Sequence, residues 1–177
     1  MKFIRKKAEF TFLAVTHYYV LIQFDLFSRV EVTQRACHVA CEHIAKSLLH
    51  FMTTDDVKQI SMGALQQINL DTIQCEQFAA SEPIPGLEEG ALLHYFNDLR
   101  QLLDLLMSWD WSAYFHDYGQ ENNKYELVNP ITAIIILEKL READKKSVFS
   151  TLKKSERDKR KLLDTVLKQL RQLANIN

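Results

Sequence analysis

The sequence predicts an all-α protein, folded as an antiparallel bundle of helices. Glycine accounts for only 4 of the 177 residues and proline for 3, too few for the many turns of an all-β protein. Apolar residues recur at helical spacing in long segments rich in leucine, glutamine, lysine and glutamate. A chain of this length can bury one ordinary core or two small helical subdomains.

The N-terminal segment is the least regular part of the sequence. Residues 8–27 predict a helix of weak periodicity, preceded by basic residues as in a signal peptide or an anchor. Glu9 and Asp25 interrupt this apolar stretch and no small-residue cleavage motif follows, so a core helix or an irregular start is favoured. We therefore predict an atypical segment at residues 1–28 and a helical bundle domain at residues 29–177.

Residues 33–52 predict the next helix, with Thr33 as its N-cap. The chain has three cysteines, Cys37, Cys41 and Cys75, an odd number that closes no disulfide framework and favours buried thiols in a reducing compartment. The predicted apolar face of this helix consists of Ala36, Val39, Ala40, Ile44 and Leu48.

Residues 59–86 organise the rest of the chain. Residues 53–56 supply caps for a long helix, which must end near Pro83 and Pro85 because proline lacks the N–H that a helix needs. One side of this helix carries an ordinary core stripe, made of Val57, Ile60, Ala64, Ile68, Cys75, Phe78 and Ala79.

A second row on the same helix has the spacing of a narrow face and consists of Met62, Leu65, Asn69 and Ile73. A helix with two apolar faces is either buried on both sides or buried on one side and offered to a partner on the other. In the first case Asn69 is bonded inside the protein, and in the second its amide fixes the register of a partner. The residue pattern leaves both interpretations open.

Later segments complete the bundle. Residues 88–109 predict a helix with a wide apolar arc, and the aromatic residues 109–115 predict a packing cluster between helices. A turn at residues 119–126 leads to a helix that begins at Pro130. Ser155 is the predicted cap of the last helix, whose apolar stripe contains Leu162, Leu163, Val166, Leu167, Leu170 and Leu173.

Charge is unevenly distributed, although the formal net charge is −1. Between Val30 and Val128 there are 5 Lys/Arg and 15 Asp/Glu, whereas from Asn129 to the end there are 12 and 6. The basic end is either a solvated helix terminus or a contact for an anionic membrane surface. Nucleic acid is disfavoured because aromatic residues are not interleaved with the basic ones. The expected membrane contacts are Lys153, Lys154, Arg157, Lys159, Arg160 and Lys161.

Catalytic and metal-binding templates are missing from the sequence. The glycines form no phosphate-binding loop, and no GxSxG or HExxH motif occurs. Cysteine and histidine alternate within residues 37–43, but His38 and His43 project from other sides of the helix than the two thiols. Cys75 is the only further thiol, which is too few for a zinc site of this kind. We therefore expect neither enzymatic activity nor a metal or cofactor.

Three long stretches carry a resemblance to a known family. In chain order they are LLHFMTTDDVKQISMGALQQINLDTIQCEQFAASEPIPG, RQLLDLLMSWDWSAYFHDYG and EKLREADKKSVFSTLKKSERDKRKLLDTVLKQLRQL. From about Val30 to Leu173, the sequence resembles the C-terminal part of the exocyst subunit family called Sec-fifteen. Residues 1–28 match that family poorly, and intact members are several times longer.

The resemblance implies a fold and a function. The family belongs to the vesicle-tethering complexes built from helical rods, which dock secretory or recycling vesicles at the plasma membrane. The implied protein is cytoplasmic, peripheral to vesicle and plasma membranes, and without enzymatic activity or cofactor. Its implied partners are other exocyst subunits and a GTP-loaded Rab GTPase of the Rab-eleven or Sec-four type. The alternative is a scaffold segment that docks other exocyst subunits, with or without contact to an anionic membrane.

The resemblance also implies a site. The family motif QQ-x-NLD stands here at residues 66–71, so the GTPase contact is carried over to Asn69. Helix geometry extends the expected contact to Met62, Gln66 and Ile73.

Overall fold

The computed structural model of the chain describes residues 30–81, 86–121, 123–146 and 154–175. All regular structure within these ranges is helical, which confirms the predicted all-α class. The predicted helix at residues 8–27 and the predicted boundary after residue 28 lie outside the described residues. The helices are α1 (Val30–Thr53), α2 (Met62–Ala80), α3 (Asn97–Ser108), α4 (Trp111–Asp117), α5 (Pro130–Lys146) and α6 (Lys154–Ala174), with a short 3-10 helix at Leu93–Phe96.

The chain divides into two compact units. Within the described residues, unit 1 consists of residues 30–48 and 66–99, and unit 2 consists of residues 49–65 and 100–175. The three divisions fall inside helices α1, α2 and α3, so each of these helices contributes to both units. Among the described helices, none combines the length and the apolar character that crossing a membrane requires.

Small side chains dominate the core of unit 1. On α1 they recur every four residues at Cys37, Cys41 and Ala45, and on α2 the same spacing brings Cys75 and Ala79 to the buried side. Aliphatic and aromatic side chains from the segment after α2 complete this core at Leu87, Leu92 and Phe96.

The predicted apolar face of α1 is confirmed at Leu48, which is buried, and at Ile44, which packs against the core, but it is wrong at Ala36 and Val39. Ala36 and Val39 belong to the predicted face, yet both are exposed, whereas Cys37 and Cys41 are buried. Cysteine behaves as a small hydrophobe in a core, so leaving it out of the stripe shifted the predicted face. The predicted cap Thr33 lies inside α1 and does not begin it.

Helix α2 begins later than predicted. Helix α1 continues through Thr53, and residues 54–61 form turns and irregular chain rather than the first turns of α2. The N-cap is Ser61, whose hydroxyl oxygen accepts a bond from the backbone N–H of Ala64 at 3.2 Å. Val57 and Ile60 are buried but not helical. Their positions happen to match the helical spacing of the core stripe, so the prediction wrongly included them in the helix.

The predicted helix at residues 88–109 is divided into three parts. Residues 88–92 form turns, Leu93–Phe96 forms the 3-10 helix, and α3 follows. Gly90 has a φ of 76°, a conformation that glycine adopts without steric cost, and its carbonyl accepts a bond from the N–H of Leu93 at 3.0 Å. The wide apolar arc is confirmed in α3 by the buried residues Leu99, Leu102, Leu103, Leu105 and Leu106, although Met107 is exposed.

The aromatic cluster in unit 2 packs as the sequence predicts. Trp111 and Tyr114 are buried, and their rings meet edge to face with centroids 5.8 Å apart. Trp109 has a φ of 59°, a conformation uncommon for a residue other than glycine, and its ring packs edge to face on Trp111 with centroids 5.9 Å apart. The Tyr114 hydroxyl donates to the carbonyl of Val128 at 3.0 Å, and burial raises its pKa.

Helices α5 and α6 pack against each other as an antiparallel pair in unit 2. The predicted start of α5 at Pro130 is confirmed, and the Asn129 side chain accepts the N–H of Ile131 at 2.8 Å. Helix α6 begins at Lys154, so the predicted cap Ser155 lies inside it. Leu162 is exposed, contrary to its predicted place in the apolar stripe. The pair is joined by the ion pairs Glu138–Arg171 and Arg141–Asp164, beside the buried residues Leu137, Leu140, Leu163, Val166, Leu167 and Leu170.

A buried lysine closes the C-terminal end of α1 within unit 2. Lys139 is only 8% exposed, and its ammonium donates to the carbonyl oxygens of Met52 at 2.9 Å and Thr54 at 2.6 Å. The main-chain carbonyl of Lys139 accepts the N–H of Ile60 at 3.1 Å. Desolvation lowers the pKa of Lys139, partly opposed by the nearby carboxylate of Asp55. The charge therefore lies where a helix end leaves unpaired carbonyls and a partial negative charge.

We expect Lys139→Met to lower the free energy of unfolding by about 2–4 kcal/mol, because it leaves one buried and one partly buried carbonyl oxygen without their charged donor. Urea denaturation followed by circular dichroism measures the change. The matched control is Lys161→Met, since Lys161 is exposed on α6 and its loss should change stability by no more than about 0.5 kcal/mol. Equal stability of the two variants would show that the Lys139 bonds contribute little.

Candidate partner-binding surface on helix α2

One side of α2 is committed to the core of unit 1. Ile68, Cys75 and Ala79 are buried, which confirms those members of the predicted core stripe. Thr72 is also fully buried, and its hydroxyl donates to the carbonyl of Ile68 at 2.8 Å, so this polar group is satisfied within the helix. The buried side fixes the rotation of α2 and therefore determines which residues point away from the core.

The predicted second row does not form a single exposed face. Leu65 is fully buried at 0% exposure, whereas Met62 is 42% exposed. Asn69 and Ile73 are half-buried. At about 100° per residue, Met62, Asn69 and Ile73 lie on one flank of the helix, while Leu65 is turned toward the buried side. The prediction of one uniform row is therefore wrong at Leu65.

Gln66 lies on the outer edge of this flank and is exposed. Gln66, Asn69 and Ile73 all belong to unit 1, whereas Met62 belongs to unit 2. We refer to Gln66, Asn69 and Ile73 as the α2 flank. It presents two amides and one aliphatic side chain, groups that can hydrogen-bond to a protein surface and pack against it.

Leu70 is a further feature of this surface, which the helical spacing of the second row did not include. Leu70 is 55% exposed and lies at the centre of the outer side of α2, about 180° of helix rotation from the centre of the buried side. The core stripe could have predicted the exposure of Leu70, because a position on the opposite side of the helix from Ile68, Thr72 and Ala79 must face away from the core. A leucine at that position is an exposed apolar group in the middle of the motif.

The outer side of α2 carries no exposed charge. Asp71 and Glu76 are the acidic residues of α2, and both are half-buried. The Asp71 carboxylate accepts a bond from the Gln67 side chain at 2.9 Å. The exposed residues between positions 61 and 81 are Ser61, Met62, Gly63, Gln66, Gln67, Leu70, Gln74, Gln77 and Ser81. This is notable in a region that contains three times as many acidic as basic residues.

The thiols of unit 1 have the properties of core groups. Burial raises the pKa of Cys37, of Cys41 to about 12, and of Cys75 to about 11. Nearby Cys37 and Cys75 add to the shift of Cys41. Thiols that stay protonated are poor nucleophiles and poor metal ligands. Within the described parts of the chain, no three His, Cys, Asp or Glu side chains are grouped so that they could hold a metal ion.

The basic cluster is only partly described by the structure. Lys153 lies outside the described residues, as do the side chains of Lys154, Arg157 and Lys159 at the start of α6. Lys161 is exposed, and Arg160 is half-buried. The predicted membrane contact of this cluster stays a prediction.

A second apolar surface lies on α1 in unit 1. Val32, Ala36 and Val39 are exposed and recur at helical spacing along one side of the helix. Arg35 and Glu42 lie beside this strip in the sequence, so it differs from the outer side of α2 in having charged neighbours.

Comparison with known proteins identifies related sequences. The family model described as Exocyst complex subunit Sec15 C-terminal matches residues 12–139. The match therefore reaches further toward the N-terminus than the resemblance from Val30 indicated. No solved structure gives a significant match to the chain.

Curated relatives agree with the family match. The chain is 56% identical over 159 residues to exocyst complex component 6 of Drosophila melanogaster, covering 89% of this chain and 20% of the relative. It is 52% identical over 155 residues to exocyst complex component 6 of Homo sapiens, covering 86% and 19%. It is 54% identical over 153 residues to exocyst complex component 6B of Mus musculus, covering 85% and 19%. The chain thus spans about one fifth of the length of these relatives.

We expect the two aliphatic members of the predicted row to differ in their effect on stability. Leu65→Ala should lower the free energy of unfolding by about 2–4 kcal/mol, because the side chain is fully buried. Met62→Ala should change it by less than about 1 kcal/mol, because much of that side chain remains in water. Chemical denaturation of the two variants checks this, and equal losses would contradict the described rotation of α2.

Proposed function

The chain belongs to the Sec15 C-terminal family of exocyst complex subunits, and we propose that it is the part of a vesicle-tethering subunit that binds a GTP-loaded Rab GTPase. By this contact it helps to dock secretory or recycling vesicles at the plasma membrane. The protein acts at the periphery of vesicle and plasma membranes and performs no chemistry of its own. The nucleotide belongs to the partner.

The accessibility of the α2 flank is the observation that carries this proposal. Asn69 lies at the border between the buried and the exposed side of α2, with Gln66 exposed next to it and Ile73 half-buried one turn further on. The core of unit 1 holds the opposite side of the helix, so a partner can contact the flank without unfolding it. A preformed helical surface of this kind loses little conformational entropy on binding.

The proposed partner is a Rab GTPase of the Rab-eleven or Sec-four type. A preference for its GTP-bound form requires contact with segments that change order with the nucleotide, as the switch segments of GTPases do when the γ-phosphate is present. The α2 flank is short, spanning two helical turns from Gln66 to Ile73, and is therefore one part of the full contact.

A scaffold role is the second candidate, favoured by the exposed strip of Val32, Ala36 and Val39 on α1. In that role the chain docks other exocyst subunits through apolar helix faces. A pull-down with the purified exocyst subunits, comparing wild type with Val32→Asp/Val39→Asp, tests this role. Loss of subunit binding with retained GTPase binding would show that the strip on α1 docks other subunits, whereas unchanged subunit binding would show that it does not.

An anionic membrane contact would accompany either role and rests on the basic start of α6, where Lys161 is exposed. Co-sedimentation with vesicles of phosphatidylcholine alone or with phosphatidylserine measures it. Binding that does not increase with the anionic lipid would exclude the contact.

We expect Asn69→Ala to raise the Kd for the GTP-loaded GTPase by about 5- to 100-fold, equivalent to about 1–3 kcal/mol for an interface hydrogen bond left unmade. Isothermal titration calorimetry with the GTPase loaded with a non-hydrolysable GTP analogue or with GDP measures this Kd and its nucleotide dependence.

The matched control for Asn69→Ala is Gln172→Ala, which removes an exposed amide from α6 in unit 2. The control should bind as wild type does. Thermal unfolding of Asn69→Ala should remain within about 2 °C of wild type, because Asn69 lies at the edge of the core of unit 1 and not within it. Unchanged binding would show that the site is wrong, and a Tm many degrees lower would show that Asn69 is an internal residue.

A further inference from the structure

We propose that residues 12–27 of this same chain cover the exposed apolar strip of Val32, Ala36 and Val39 on α1. The strip is then an internal surface of the domain, and docking of other exocyst subunits would need a different surface. This inference does not depend on the GTPase contact, which was assigned to the α2 flank.

The strip lies on the side of α1 that faces away from the core of unit 1. Cys37, Cys41 and Ala45 are buried in that core, and the strip is about half a turn around the helix from them. Val32 and Val39 each leave 59% of their surface exposed. The described elements of unit 1 therefore pack on one side of α1 and leave aliphatic groups on the other.

The exposed apolar groups of α1 are concentrated at its N-terminal end. Beyond Val39 the same outward side continues with polar exposed residues, among them Lys46 and His50. On the core side, Val30 lies two turns before the buried Cys37, yet it is 51% exposed. Both sides of the first turns thus present apolar groups to solvent, at the end of α1 to which residues 12–27 are joined.

The composition of residues 12–27 matches this surface. Their sequence is FLAVTHYYVLIQFDLF, in which every residue except Thr16, His17, Gln23 and Asp25 is aliphatic or aromatic. Side chains of this kind are costly to leave in water. The family model begins its match at residue 12 and continues through α1, so these residues belong to the same family region as the strip. Burial against their own domain satisfies both observations.

The short connection selects the strip among the exposed apolar groups of the chain. Only Ser28 and Arg29 separate residues 12–27 from α1, and consecutive segments with short connections usually pack against each other. A chain that reverses direction at these two residues runs back along α1 and passes Val32 first. Exposed aliphatic groups elsewhere, such as Ile131 on α5, have no comparable connection to the segment.

The segment is long enough to cover the strip. From Val32 to Val39 the strip extends about 10 Å along the helix axis. Residues 12–27 extend over about 24 Å even at the short rise of an α-helix, and further in any more extended conformation. Ala36 has a small side chain between the two valines, so a large ring can approach the helix there, and the segment supplies phenylalanine and tyrosine rings.

The contact is tested in the full chain by photo-crosslinking from Val39→p-benzoylphenylalanine, followed by trypsin digestion and mass spectrometry. Trypsin releases the segment as one peptide, residues 8–29, and position 39 within residues 36–46. We expect these two peptides to be joined in a product that has the mass of a monomer. The matched control is Ile131→p-benzoylphenylalanine, since Ile131 is also 59% exposed, and it should not be joined to residues 8–29.

Three crosslinking results would overturn the proposal. They are joining of position 39 to other peptides or to none, joining to residues 8–29 only in a dimeric product, and equal joining of residues 8–29 to position 131. The dimeric product would assign the strip to a second copy of the chain instead.

Hydrogen exchange measures the same contact independently. Val32→Asp/Val39→Asp should raise the rate of deuterium uptake in residues 12–27 at least about threefold, because a carboxylate opposes the burial of apolar groups against it. Uptake in α2 should stay as in wild type, and Ile131→Asp should leave residues 12–27 unchanged. Unchanged uptake in the double variant would overturn the proposal. If α2 also exchanges faster, the double variant is unfolded and the crosslinking result decides. A failure of the wild-type chain to bind the GTPase would reject the proposed function and leave this contact standing.

Discussion

The burial of small side chains from α1 and α2 in one core is the constraint on which the rest of unit 1 depends. Cysteine and alanine recur every four residues on both helices, at Cys37, Cys41 and Ala45 and again at Cys75 and Ala79. This pattern leaves each helix one rotation that buries its small residues and satisfies Thr72 internally. The rotation of α2 in turn places Leu70 outward. The candidate surface is therefore a consequence of core packing on the opposite side of the same helix.

Unit 2 depends on a polar arrangement instead. Lys139 is buried on α5, where an isolated ammonium would be costly, yet the main-chain carbonyls of Met52 and Thr54 at the end of α1 accept its bonds. The main-chain carbonyl of Lys139 also accepts a hydrogen bond from the N–H of Ile60. One residue therefore connects α5 to the end of α1 and to the segment that leads to α2. Such a buried polar connection specifies one arrangement of the three segments, because alternatives leave the charge unpaired.

Helical spacing predicted the fold class, the buried arc of α3 and the start of α5 at Pro130, since each depends on local sequence. Helical spacing gave wrong predictions where tertiary contacts determine which residues are buried. Ile60 is buried in irregular chain, which periodicity cannot distinguish from a helix, and the omission of cysteine from the apolar stripe of α1 moved the predicted face onto exposed Val39. Asn69 was selected by resemblance to a family. Leu70 required the observed rotation of α2, because its exposure depends on which other residues are buried.

The placement of the tryptophans has a spectroscopic consequence. The chain contains two, Trp109 and Trp111, and both belong to unit 2, where their rings pack edge to face. Intrinsic tryptophan emission therefore reports on unit 2 alone, while far-ultraviolet dichroism reports on the helices of both units. Coincident transitions of the two signals would indicate that the units unfold together, and separate transitions would indicate two cooperative blocks. The protein thus carries a natural probe for the independence of its two halves.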